Sequence, residues 1–122
     1  MKYVCLGYMP ENAWDSKSQN ERDAMIKECL DYDNTLRKNG NLVGAEALQS
    51  VRTAATVRWQ NGRPTVTDGP FAETKEQLGG VLVLEAKDLN HAIQFISQHP
   101  GVRYGVTLEI RPTEEIPGNP EN

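Results

Sequence analysis

Thr67-Asp68-Gly69-Pro70-Phe71-Ala72-Glu73-Thr74-Lys75-Glu76, running on to Gly79-Gly80, gather ionisable side chains around a turn that needs glycine. A plain connector could use almost any polar residues, so this stretch is the first place to look for chemistry. Asp68 can serve as a general base or ligand acceptor; as a turn aspartate it would instead bond backbone N–H groups and set up Gly69-Pro70. Glu73, Lys75 and Glu76 put carboxylates beside an ammonium. In a half-closed cleft such neighbours shift each other's pKa values and support proton transfer. On a solvated turn of helix the same pairs contribute only about 0–1 kcal/mol. Gly79-Gly80 lets a ligand or a neighbouring backbone approach closely.

The catalytic candidates are therefore Asp68, Glu73 and Lys75, with His99 as a fourth. His99 could shuttle protons near neutrality; at a helix end it would instead bond the last carbonyls and oppose the dipole. Ligand-binding candidates are Arg58, Phe71, Glu76 and Arg111. A guanidinium offers a permanently charged fork of donors to a carboxylate or phenolate, although a salt bridge to Glu109 or to a partner subunit would use Arg58 or Arg111 equally well. Phe71 also reads as an anchor for its loop. Cys29 shares an apolar helical stripe with Met25 and Tyr32, which suits a small buried hydrophobe. Trp14 is a lid or a loop anchor, and His91 looks exposed and incidental.

Composition narrows the classes. One hundred and twenty-two residues make one compact domain, and a 38% apolar fraction supports a single modest core. A net charge of −4 argues against direct nucleic-acid binding. No apolar run approaches the roughly 20 residues of a membrane helix, and the start of the chain alternates too strictly for a signal peptide. Cys5 and Cys29 then read as reduced thiols of a cytoplasmic protein. They lack the spacing of a metal site with His91 or His99, and no motif calls for a cofactor.

The elements that must position these residues follow from periodicity. Residues 2–8 alternate as a strand, and Met25, Cys29, Tyr32 and Leu36 recur at helical spacing over about 19–39. Lys38-Asn39-Gly40 is a helix stop. Strand-like runs cover 42–48 and 54–59, Asn61-Gly62 turns the chain, and Pro64 to Thr67 returns along an edge. Val81 to Leu84 reads as a strand covered on both faces. Asp88 caps a second helix that stops at His99-Pro100-Gly101, and Val106 to Arg111 alternates as the last strand. This order fits an α+β fold, a ferredoxin-like antiparallel sheet with two helices on one face. The domain is expected over residues 1–112, with 113–122 a loosely ordered tail. The face without helices needs a cover, and a second copy in a homodimer is the simplest one.

Val57-Arg58-Trp59, Asn61-Gly62, the run Pro64 to Glu76, Leu78-Gly79-Gly80 and Glu109-Ile110-Arg111-Pro112 together resemble the DGPF branch of the YCII-related family. The resemblance spans about residues 2–112, and its Asp-Gly-Pro-Phe-Ala-Glu-Thr-Lys-Glu block is highly specific. It implies a dimeric α/β barrel built from ferredoxin-like units. In the wider family a first-helix His and the Asp of an Asp-Pro pair are proposed to act as an acid–base dyad. Aligned by glycine and proline landmarks, those positions fall at Cys29 and His99, so the dyad does not carry over. The resemblance implies a dimer with a small-molecule cleft at the DGPF loop, acting as a ligand-binding or regulatory module with a partner linked to alternative sigma factors. The alternative is a small acid–base enzyme, a lyase or dehalogenase, acting on a polar or aromatic molecule.

Overall fold

A computed structural model describes residues 1–121. Six strands and two principal helices follow in the order β1 (Lys2–Pro10), α1 (Gln19–Lys38), β2 (Leu42–Ala47), β3 (Ala55–Gln60), β4 (Arg63–Asp68), β5 (Glu76–Glu85), α2 (Leu89–Ile96) and β6 (Thr107–Pro112). A single turn of helix, α3 (Pro100–Arg103), lies between α2 and β6. Four strands form one sheet in the order β2-β5-β1-β6, antiparallel throughout. This is a mixed α+β architecture consistent with a ferredoxin-like fold.

Helix α1 starts where its sequence says it should. Ser18 accepts from the Glu21 N–H while Glu21 reaches back to the Ser18 N–H, a reciprocal capping box. Arg37 and Lys38 complement the dipole at the other end. Asp88 caps α2 with a single bond, accepting from the His91 N–H.

Strand register explains the core. Tyr3 pairs with Leu84 and Cys5 with Leu82, so these side chains share the face beneath the helices. Tyr3, Cys5, Leu42 and Leu84 pack there with Leu36 of α1 and with Ala92 and Ile96 of α2. The Tyr32 hydroxyl donates to the Phe95 carbonyl and ties the two helices together. Val4, Leu6, Val81 and Val83 occupy the opposite face and are only half-buried. The run 81–84 is thus covered on one face, not two. Its continuous apolar pattern does not distinguish a strand buried on both sides from one with a half-exposed apolar face.

Strands β3 and β4 stand apart as a two-stranded sheet joined at Asn61-Gly62, both at positive φ. Neither makes substantial contact with any other helix or strand. Val57 faces Val66, and Trp59 faces Pro64, on one face of this arm. Val57, Trp59 and Val66 are all at least 65% exposed.

Candidate active site

Between α1 and the sheet lies a cavity of about 410 Å³. Met25, Cys29 and Asp33 reach it from α1 at four-residue spacing, one stripe of a helix. Cys5, Gly7, Gly80 and Leu82 line it from β1 and β5, and His99 and Leu108 complete its wall. The space exists because its floor has no side chains at one point: Gly7 pairs with Gly80 across the two central strands. A Cβ placed on Gly80 would meet nothing nearer than the Glu46 carbonyl oxygen at 3.6 Å, so the room above it is open.

Asp33 and His99 meet at the wall. His99 Nε2 lies 2.8 Å from Asp33 Oδ1, with side-chain exposures of 8% and 13%. His99 is the N-cap of α3, and its Nδ1 accepts the Gly101 N–H at 3.0 Å. Gly101 leaves room for this contact, because a Cβ on it would sit 3.1 Å from that same nitrogen. Tyr32 presents its ring edge-on to the imidazole at 5.5 Å between centroids. Cap, carboxylate and ring thus hold His99 on three sides.

The thiols around this pair are not nucleophiles in waiting. Burial pushes the Cys5 thiol up to about 11, with the Asp33 carboxylate adding to the effect. Cys29 is also raised, first by burial and then by Asp33 and Glu28; Arg103 and a backbone hydrogen bond from Gly101 oppose this. Neither cysteine hydrogen-bonds to His99 among the described residues, so no Cys-His arrangement forms. No group of three His, Cys, Asp or Glu among the described residues could hold a metal ion.

The loop singled out from sequence lies elsewhere. Asp68 ends β4, Glu76 begins β5, and Phe71, Glu73 and Lys75 occupy the segment between; all five are exposed, and none lines the cavity. Arg58 donates to the Phe71 carbonyl at 2.7 Å and folds that segment back on β3. Glu76 accepts from the Thr107 hydroxyl at 3.1 Å, and Arg111 is exposed on the open face opposite Val4. Gly79 and Gly80 do line the cavity. His99 belongs to the site but not as expected. Its backbone N–H donates to the Ile96 carbonyl at 3.0 Å, but its imidazole does not bond the last carbonyls of α2. The side chain opens α3, because α2 ends at Ile96 and Pro100 sits in the first turn of a new helix.

Asp33 went unnoticed in the sequence because it stands among the charged residues of α1, between Tyr32 and Asn34. The available signal was its spacing, one turn beyond Cys29 on the stripe that also carries Met25. His91 likewise has a role. Its Nδ1 accepts the Lys87 N–H, and its ring packs edge-on against Phe95. Trp14 is a loop anchor: its carbonyl takes a 2.8 Å bond from Arg22, whose guanidinium stacks 5.9 Å from the indole centre.

A family model for the YCII-related domain matches residues 1–115. The chain belongs to the YCII-related family. An uncharacterised protein of Rhizobium meliloti (strain 1021) is 33% identical over 95 residues, which are 78% of this chain and 77% of that protein. Among solved structures, a similar one is 5-chloro-2-hydroxyhydroquinone dehydrochlorinase from Burkholderia phenoliruptrix AC1100, in complex with 2,5-dihydroxybenzoquinone. The two share a TM-score of 0.57 at 14% identity over 98% of this chain and 99% of that one, a likeness of fold. Within this YCII-related chain, the helix-borne partner of the pair is an aspartate, and the residue before the proline is a histidine. No helix among the described residues is long and apolar enough to cross a membrane.

Proposed function

We propose that this protein is a small acid–base enzyme whose substrate binds between α1 and the sheet, with protons moved by the Asp33–His99 pair. The observation that carries the reading is the pair itself, two polar groups in 2.8 Å contact, largely buried, on the wall of a mostly apolar cavity that Arg37 and Glu46 also line. Burying such groups is costly unless they serve each other or a ligand. A volume of about 410 Å³ suits one small molecule. The structurally similar dehydrochlorinase supplies the first substrate class to try, a chlorinated, hydroxylated ring. In such a reaction the pair accepts a hydroxyl proton while the carbon that bears chlorine gains one, giving the keto form of the ring. Chloride then departs with the carbon–chlorine bonding electrons as a second hydroxyl loses its proton, and a quinone remains. The balance needs no external oxidant, because hydrogen chloride is what leaves.

The test is chloride release from 5-chloro-2-hydroxyhydroquinone, followed in parallel with binding of 2,5-dihydroxybenzoquinone. Asp33→Asn should lower turnover by about 10²–10⁴-fold, the usual contribution of a general acid–base group. Gly80→Leu, which fills the floor, should weaken quinone binding while leaving the thermal transition in place. Unchanged turnover and binding in both variants would remove this reading.

A second reading has its own support in the exposed arm. Membership of the DGPF branch, carried by residues 57–80, would make the protein a regulatory module that offers Val57, Trp59, Val66 and Phe71 to a partner. A second copy covering the half-exposed Val4, Leu6, Val81 and Val83 would give a two-fold barrel. Specific capture of a sigma-factor-linked partner, lost on Trp59→Ser and indifferent to Asp33→Asn, would favour this reading over catalysis.

A further inference from the structure

We infer that Asp33 is the catalytic base of this chain and that His99 is its positioning residue, with no nitrogen left for substrate. The inference rests on the reading that the cavity carries proton transfer and goes beyond it by dividing the labour within the pair. The argument is one of donors and acceptors. A backbone N–H can only donate, so the 3.0 Å bond from Gly101 makes His99 Nδ1 an acceptor and leaves it without a proton. The ring hydrogen is then on Nε2, where it points at Asp33 Oδ1, 2.8 Å away. Both nitrogens are occupied. The ring is also boxed in by Tyr32 and is only 7% exposed as a residue.

Asp33 is in the opposite condition. One carboxylate oxygen takes the His99 hydrogen, and no other hydrogen bond reaches this side chain among the described residues. No buried side-chain oxygen or nitrogen among them lacks a partner. Oδ2 is therefore not sealed in the protein, and Asp33 is part of the cavity wall. A carboxylate with one oxygen fixed by a neutral imidazole and the other free toward a ligand space has the geometry of a base. In the step itself the substrate's X–H bond breaks and its electrons stay on the substrate. The proton forms an O–H bond on Oδ2, and the protonated acid later returns it to the ring carbon that loses chloride or to water. His99 keeps its own hydrogen throughout.

Two substitutions separate His99's jobs, because glutamine places its amide nitrogen near the position of Nε2 and asparagine places its oxygen near Nδ1. His99→Gln keeps the donor to Asp33. His99→Asn keeps the acceptor for Gly101 and the cap of α3, and loses the donor. Turnover of 5-chloro-2-hydroxyhydroquinone should fall less than about 10-fold in the glutamine variant. In the asparagine variant it should fall about 100-fold, the order expected when a reacting group loses its orientation, with both variants still folding cooperatively. Asp33→Asn should be the most damaged of the three. Equal inactivation of the two His99 variants, with Asp33→Asn still active, would make the imidazole the base and overturn the assignment. Nitrogen-15 spectra of the wild-type imidazoles decide the matter even for a protein that turns over none of the probe. A His99 tautomer protonated at Nε2 is expected, and one protonated at Nδ1 would overturn the inference independently of any activity.

Discussion

Cys5 shows how a single buried group couples the cavity to pH. The thiol is completely enclosed, and its pKa stands near 11 against an ordinary value of 9.0. Below about pH 9 the folded and unfolded chains both hold this proton, and the stabilisation is fully present. Between about pH 9 and 11 the unfolded chain releases its proton first, so stability falls as pH rises through that window. A shift of this size corresponds to about 2–3 kcal/mol. Urea unfolding compared at about pH 8 and pH 10.5 should show the loss, and Cys5→Ala should make the pH dependence shallower. Cys29 moves in the same direction but is half-exposed. Its alkylation by iodoacetamide should therefore be slower at pH 8 than that of an unfolded-chain cysteine, and should accelerate at higher pH. Faster alkylation in the folded protein at pH 8 would mean that burial and the acids around it do not govern this thiol.

At the scale of elements, the site depends on two helix starts. The capping box at Ser18 fixes where α1 begins and hence which residues share the stripe carrying Met25, Cys29 and Asp33. Ser18→Ala should cost about 1 kcal/mol, read as a lower denaturant midpoint with the cavity intact. The start of α3 is tied more directly to chemistry, because its cap is His99 itself. Gly101→Ala sets a methyl carbon 3.1 Å from the imidazole nitrogen and must displace the ring by a few tenths of an ångström. Turnover should drop with a smaller loss of stability than Leu84→Ala, whose fully buried side chain is worth about 2–5 kcal/mol. Catalysis unmoved by Gly101→Ala would mean that ring placement is unimportant.

For the whole molecule, the arm of β3 and β4 is the feature that a lone protomer leaves unexplained. An isolated two-stranded hairpin is marginally stable in water, and this one exposes Val57, Trp59 and Val66 together. Charge points the same way. Residues 47–67 hold three arginines and no acid, in a chain whose total is −4, so the remainder carries seven net negative charges. A basic, apolar arm and an acidic body of a second copy are complementary. Sedimentation should give twice 13.6 kDa, and Trp59→Glu should shift the species toward the single chain. A wild-type protein that sediments as one chain at all concentrations would refute the pairing.

Much of the architecture was legible without coordinates, since it depends on neighbours in the chain. Alternation in residues 2–8, the helical stripe from Met25 to Leu36, the Asp88 cap and the Asn61-Gly62 turn are local events with local causes. Boundaries slipped where local chemistry is ambiguous: β5 begins at Glu76 rather than at Val81, because pairing with Pro10 and Met9 extends a strand through polar residues. The dense charge between Asp68 and Glu76 drew attention because ionisable groups crowd together in sequence, yet the cavity gathers its polar groups from afar. Asp33 and His99 are 66 positions apart. Only the packing of α1 and α3 above the paired glycines of β1 and β5 brings them together. Hydrophobic periodicity specifies which face of an element turns inward, but which two polar groups then touch depends on helix placement over the sheet, a property of the assembled layers alone.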